Sequence, residues 1–121
     1  MGIYSEETRQ IIGCAHEVLN TPGHGLMEKP YENALVREFR IRGIPCMQQP
    51  RYPVTYKGER VGEFVRDLVV FGRVIVDAKT VERISDQEAG QMINYLRITG
   101  LSVGLILNFR NPRFDCRRFA L

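Results

Sequence analysis

Residues 72–96 read GRVIVDAKTVERISDQEAGQMINYL, an apolar, strand-like run that ends in two charges and gives way to a helical pattern. A chain that buries Val74, Ile75 and Val76 must place Asp77 and Lys79 at the margin of the same core. Side chains two apart on a strand share a face, so an acid and an amine are held side by side there. Charge in such a place requires a partner or a task, because an unpaired buried charge is costly.

The rest of the chain supplies the layers this strand packs against. Ile11, Ile12, Ala15, Val18 and Leu19 recur at helical spacing, with Ser5 as N-cap and Glu6 and Glu7 suited to the positive end of the helix dipole. That helix ends near Asn20, and the turn residues Thr21-Pro22-Gly23-His24-Gly25 follow. A second helix begins near Met27, tolerates Pro30 in its first turn, and presents Tyr31, Leu35 and Phe39 as an apolar face with Glu28 at its head. Gly43 closes it. From Cys46 the pattern turns to β, and the turn signals Lys57-Gly58-Glu59 and Phe71-Gly72-Arg73 predict three hairpin-connected antiparallel strands. Pro50 and Pro53 put the first of them at an edge or make it irregular. Asp86 to Thr99 reads as a helix capped by Ser85 or Asp86 and stopped by Gly100, followed by a buried strand in LSVGLILNF and a more exposed one in RFDCRRFAL. The order α, α, β, β, β, α, β, β predicts a central mixed sheet with helices on both faces, in a single domain over residues 1–121.

Composition narrows the function classes. At 121 residues the chain can build one core, and 44% hydrophobic with 26% charged residues is a globular mix. The longest apolar runs are strand-length and the first ten residues carry no basic-then-apolar leader, so no membrane partner and a cytoplasmic location are expected. Cys14, Cys46 and Cys116 stand far apart without a C-x-x-C pair, which argues against zinc, an iron–sulfur cluster or a disulfide framework. The net charge of +3 is unevenly placed: Arg110, Arg113, Arg117 and Arg118 lie near the C-terminus against Asp115. That end reads equally as a phosphate-contacting surface or as a solvated edge strand. His24, beside Glu28 in sequence, reads as a solvated loop residue.

Three acids hold suggestive positions: Glu28 at a helix start, Asp67 inside the strand VRDLVV, and Asp77 in the next strand. If Phe71-Gly72-Arg73 is a three-residue loop, Val70 faces Val74 and Asp67 falls opposite Asp77. With a two-residue loop, Asp67 faces Val76 and the acids point to opposite faces. Gly72 can supply the left-handed conformation that a three-residue loop commonly needs, which favours the first register. Two carboxylates about 5 Å apart repel, so they require a proton or a cation between them. Such hard oxygen donors suit Mg²⁺ or Mn²⁺, and Lys79 beside them could hold an attacking water or stabilise charge on a phosphate.

The series Asp67, Asp77-Ala78-Lys79 and Gln91-Met92-Ile93-Asn94-Tyr95 resembles the PD-(D/E)XK nuclease superfamily in its RecB-like form, with a Q-x-x-x-Y motif on the helix after the active strands. Gly25-Leu26-Met27-Glu28-Lys29-Pro30-Tyr31 is similar to the G-x-x-E-x-x-Y signature of a family of small proteins within it. That family usually has glutamate where this chain has Asp77. The resemblance runs from about Ile12 through Leu121. It implies an α/β fold with a restriction-endonuclease-like αβββαβ core, an extra N-terminal helix and an extra C-terminal strand. It further implies a metal-dependent nuclease acting on DNA or RNA, or an inactive nucleic-acid or protein-binding module on the same fold. Asp67 and Asp77 would bind Mg²⁺ or Mn²⁺, Glu28 would assist directly or through water, and the Ala78 carbonyl could add a ligand. Lys79 would be the catalytic lysine, and Gln91 and Tyr95 would orient the site or touch the nucleic-acid backbone. A homodimer is expected, because so small a chain offers little surface to grip a duplex.

Overall fold

Helical periodicity becomes helix where predicted. The computed structural model describes residues 2–121, and in it α1 spans Ser5–Asn20 and α2 spans Glu28–Ile41. Each turns an apolar stripe inward: Ile11, Cys14, Ala15, Val18 and Leu19 on α1, and Tyr31, Leu35 and Phe39 on α2. Burying a side chain of this size contributes about 1.5–3 kcal/mol, far more than the propensity of any one helix position. The cap of α1 departs from expectation. Ser5 is the first helical residue, and Tyr4, left-handed at φ 56°, precedes it and accepts a 2.8 Å hydrogen bond from the Thr8 hydroxyl. The third helix, α3 at Asp86–Thr99, is capped as predicted. The Glu88 carboxylate accepts from both the backbone N–H and the hydroxyl of Ser85, and Gly100 ends the helix at φ 75°.

The β region holds the main correction. Instead of three strands between Cys46 and Lys79 there are five: β1 Cys46–Gln48, β2 Tyr52–Tyr56, β3 Glu59–Phe64, β4 Leu68–Val70 and β5 Val74–Lys79. The predicted first strand breaks at Gln49-Pro50-Arg51 and the second at Val65-Arg66-Asp67. Gln49 and Asp67 sit opposite each other in left-handed conformations, φ 51° and 69°, and the Gln49 N–H donates to the Asp67 carbonyl at 2.8 Å. These paired kinks swing β2 and β3 out of the main sheet into a separate two-stranded ribbon. Asp67 therefore lies just before a strand, not inside one.

The remaining strands, with β6 Val103–Asn108 and β7 Asp115–Ala120, make a five-stranded mixed sheet in the order β1-β4-β5-β6-β7. β5 and β6 run parallel, joined through α3, and the other neighbours are antiparallel. One face packs Val74, Val76, Leu105 and Leu107 against α1 and α2; the other packs Ile75 and Ile106 against Met92 and Leu96 of α3. Close approach on that second face depends on Gly104, where an added Cβ would run into the Met92 thioether. In chain order α2, β1, β4, β5, α3 and β6 give the expected αβββαβ core, with α1 in front, β7 behind and the ribbon inserted. Pro50 follows β1, which is an edge strand as the prolines required. β7 is the other edge; its Arg117 lies over the Phe119 ring and its Arg118 donates to the Ile3 carbonyl. Among the described residues, no helix is long and apolar enough to cross a membrane.

Candidate functional site

The loop between β4 and β5 decides whether the two aspartates can meet. Val70 pairs with Val74 and Leu68 with Val76, so Phe71-Gly72-Arg73 is a three-residue loop, with Phe71 and Gly72 left-handed at φ 59° and 65°. Continued by one residue, that register brings Asp67 to Asp77. The next strand positions the rest: Asp77 and Lys79 share a face two residues apart, and Lys79 Nζ lies 3.4 Å from Asp77 Oδ2, with both side chains almost wholly enclosed. Beyond Lys79 the chain is pinned by Asn108. Its amide donates to the Val81 carbonyl at 2.7 Å and its Oδ1 accepts from the Val81 N–H at 3.1 Å.

The electrostatics follow from this crowding. Burial, then the charge of Asp77 and a hydrogen bond to it, push the Asp67 carboxyl up to about 8. Burial also raises Asp77, against the opposing pull of Lys79 and of the hydrogen bond from Asp67. For Lys79, burial works against the charge, but Asp77, Glu28 and Asp67 outweigh it and hold the ammonium above its ordinary value. Crowding of the two buried carboxylates thus favours retention of a proton by the metal-free pair.

Asp67, Asp77, Ala78 and Lys79 open into a pocket of about 230 Å³ whose far wall carries Glu28 and Glu32 at the start of α2. Glu28 is exposed there, and its charge reaches both Asp77 and Lys79. Tyr95 stands behind the aspartates on α3, its ring 4.5 Å from Phe64 and its hydroxyl 3.4 Å from Arg66 Nη1. Gln91, one turn before Tyr95, is half-buried on α3 and lies outside the pocket walls. Of the expected site residues, Glu28, Asp67, Asp77, Ala78 and Lys79 line this one pocket, whereas Gln91 and Tyr95 lie outside its walls. His24 is exposed and set against the Arg110 carbonyl.

Whether these groups suit a divalent cation can be judged from one atom. Asp67 Oδ2 is buried with no hydrogen-bond partner, an orphaned acceptor beside a second carboxylate. Leaving such an oxygen unpaired costs about 1–3 kcal/mol or more, and a hard cation would satisfy it. Among the described residues, no group of three or more His, Cys, Asp or Glu side chains gathers tightly enough to cage a metal. Two carboxylates with water completing the shell is the arrangement Mg²⁺ accepts, so the donor set fits.

One contributor named in the sequence, Tyr31, makes bonds that the sequence did not reveal. The Tyr31 hydroxyl donates to the Gly23 carbonyl at 2.6 Å and accepts from the Leu26 N–H at 3.0 Å, while its buried ring stacks on Phe109 at 4.5 Å. It staples the loop that delivers Glu28, a loop in which Gly23 and Gly25 take φ 85° and 91°. Tyr31→Phe keeps the stack and removes both bonds. It is expected to cost about 1–2 kcal/mol and to speed hydrogen exchange at the Leu26 amide well before global unfolding. Unchanged exchange at Leu26 would mean the loop is held by its glycine turns alone.

Comparison with known proteins agrees with this geometry. No curated protein and no solved structure matches the chain significantly. The sequence model of the PD-(D/E)XK nuclease superfamily matches residues 5–119, all three helices and all but the last residue of β7. By that match, which spans both aspartates, the lysine after them and the helix that follows, the chain belongs to the PD-(D/E)XK nuclease superfamily.

Proposed function

We propose that this protein, acting as one domain, is a metal-dependent nuclease that hydrolyses phosphodiester bonds of DNA or RNA, and that it falls within the G-x-x-E-x-x-Y family of the superfamily. The observation that carries the reading is the junction of Asp67 and Asp77 beside Lys79 in one pocket, with the buried Asp67 Oδ2 left without a hydrogen-bond partner. Asp67 and Asp77 would hold Mg²⁺ or Mn²⁺, with Glu28 reaching it through water and the Ala78 carbonyl as a further oxygen. Bound there, such a cation supplies Lewis-acid polarisation of the phosphate and lowers the pKa of a coordinated water.

The chain's own residues do the rest. Lys79, its ammonium kept protonated by three acids, donates hydrogen bonds toward the attacking oxygen or the phosphoryl oxygens as negative charge builds there. The nearly enclosed walls around it keep bulk water from screening that charge. Glu28, exposed at the mouth, can accept a proton from water entering the site. Asp67 must lose its proton before binding a cation, so affinity should rise with pH toward about 8. The substrate supports a homodimer, since two copies would offer the surface that one lacks.

The reading is tested by isothermal titration of Mg²⁺ and Mn²⁺ into the wild-type protein and its Asp67→Asn variant, with cleavage of labelled single- and double-stranded DNA and RNA followed in the same buffers. Binding that disappears in the variant, together with metal-dependent cleavage by the wild type, is expected. No binding at millimolar metal and no cleavage would replace this reading with a non-catalytic binding module on the nuclease fold.

A further inference from the structure

On a regular strand, neighbouring residues point to opposite faces, so Arg66 and Asp67 should diverge. Here the left-handed turn at Asp67 breaks that alternation, and both residues line one pocket. A non-glycine residue in this conformation is strained, and the surrounding structure has to hold it there. Arg66 thereby joins the pocket lining, and its charge reaches Asp67.

That guanidinium differs from the other cations of the pocket. Lys79 is paired with Asp77 at 3.4 Å and Lys29 with Glu32 at 3.1 Å. Arg66 is exposed, and among the described residues it forms no ion pair with a carboxylate. Its partner is the neutral Tyr95 hydroxyl at 3.4 Å, on a ring fixed against Phe64. A cation with no carboxylate in ion-pair contact, hydrogen-bonded to a neutral hydroxyl and lining an acidic pocket, is suited to an incoming anion. The rigid fork of arginine matches the paired oxygens of a phosphodiester.

We propose that Arg66 is a substrate-binding residue that grips a backbone phosphate of the nucleic acid entering the pocket, and that Tyr95 is the positioning residue that aims it. The proposal rests on the nucleic-acid substrate of the proposed function, but it does not require that a bond be cut. It also gives the Q-x-x-x-Y tyrosine a task distinct from metal binding.

The experiment measures binding of fluorescein-labelled DNA and RNA oligonucleotides in EDTA, across a series of salt concentrations. The proteins compared are wild type, Arg66→Ala, Arg66→Lys, Tyr95→Phe and the Arg66→Ala/Tyr95→Phe double variant. Arg66→Ala is expected to weaken binding about tenfold and to reduce the slope of log affinity against log salt by about one, as loss of one phosphate contact requires. Arg66→Lys should keep the slope and lose part of the affinity. Tyr95→Phe should weaken binding severalfold in the wild-type background and not at all once Arg66 is gone. Unchanged affinity and slope in Arg66→Ala, or no binding by the wild type, would overturn the assignment of Arg66. Equal effects of Tyr95→Phe in both backgrounds would overturn its positioning role. Arg66-dependent binding by a protein that fails to cleave with Mg²⁺ or Mn²⁺ would sink the nuclease reading and leave this inference standing. Cleavage by the wild type with KM unaltered in Arg66→Ala would do the reverse.

Discussion

Replacing Lys79 by alanine is expected to lower metal-dependent cleavage by about 10²–10³-fold in the single-turnover rate, the usual consequence of removing one preorganised donor from a developing oxyanion. The expectation rests on where the ammonium sits. It lies 3.4 Å from Asp77 at the end of β5, in a nearly enclosed position, so its charge acts at low effective dielectric and needs no reorganisation during the reaction. Lys79→Arg should recover little, because a planar fork does not occupy the place of a compact ammonium. The measurement is quenched-flow or gel cleavage at saturating Mn²⁺, with circular dichroism to confirm that the secondary structure is retained. Metal affinity provides the internal control. Alanine removes a cation beside the proposed ligands, so Mn²⁺ should bind the variant at least as tightly as the wild type while cleavage collapses. A folded Lys79→Ala protein that binds Mn²⁺ and cleaves at the wild-type rate would show that the amine serves only as a counter-charge for Asp77.

Much of this site could be read before the fold was known, for an identifiable reason. Period-3.6 and period-2 patterns report burial, and burial set the helices, the central strands and the face shared by Asp77 and Lys79. The loop Phe71-Gly72-Arg73 was legible because Gly72 favours the left-handed conformation its register needs, and Val70 does pair with Val74. Turn and cap chemistry likewise located Ser85, Gly100 and the start of α2. The breaks at Gln49 and Asp67 were not legible. Neither is a glycine: Pro50 beside Gln49 announced an irregularity but not a positive φ, and Arg66 and Leu68 around Asp67 announced neither. Their conformations are imposed by the partnership across the sheet, where the Gln49 N–H meets the Asp67 carbonyl. The same long-range cause hid the separate ribbon and the place of Arg66 in the pocket lining. Gln91 and Tyr95 keep the spacing of the motif on α3, and both lie outside the pocket walls.

Metal-free protein is expected to lose stability as pH rises from 5 to 8, and Asp67→Asn to flatten that loss. In the folded chain the Asp67 carboxyl is raised from 3.8 to about 8, chiefly by burial and then by Asp77. Between those values the folded state holds a proton that the unfolded chain releases. The stabilisation is complete below the unfolded value and fades as pH climbs through the folded one. One such proton allows a loss of up to about 4 kcal/mol across pH 5–8. Asp77 is raised in the same direction, and Lys79 is raised from 10.5 and contributes no slope in this window. Asparagine carries no proton to lose and tolerates the left-handed backbone at this position, so the variant should gain on the order of 3 kcal/mol over wild type at pH 8 in EDTA. Urea denaturation at several pH values, with and without Mg²⁺, checks this. Added Mg²⁺ at a hundredfold over its dissociation constant should return about 2.7 kcal/mol to the wild type at pH 8 and nothing to Asp67→Asn. Parallel pH profiles for the two proteins in EDTA would mean that Asp67 is ionised throughout, its buried oxygen satisfied by water and its neighbour neutralised by Lys79 alone.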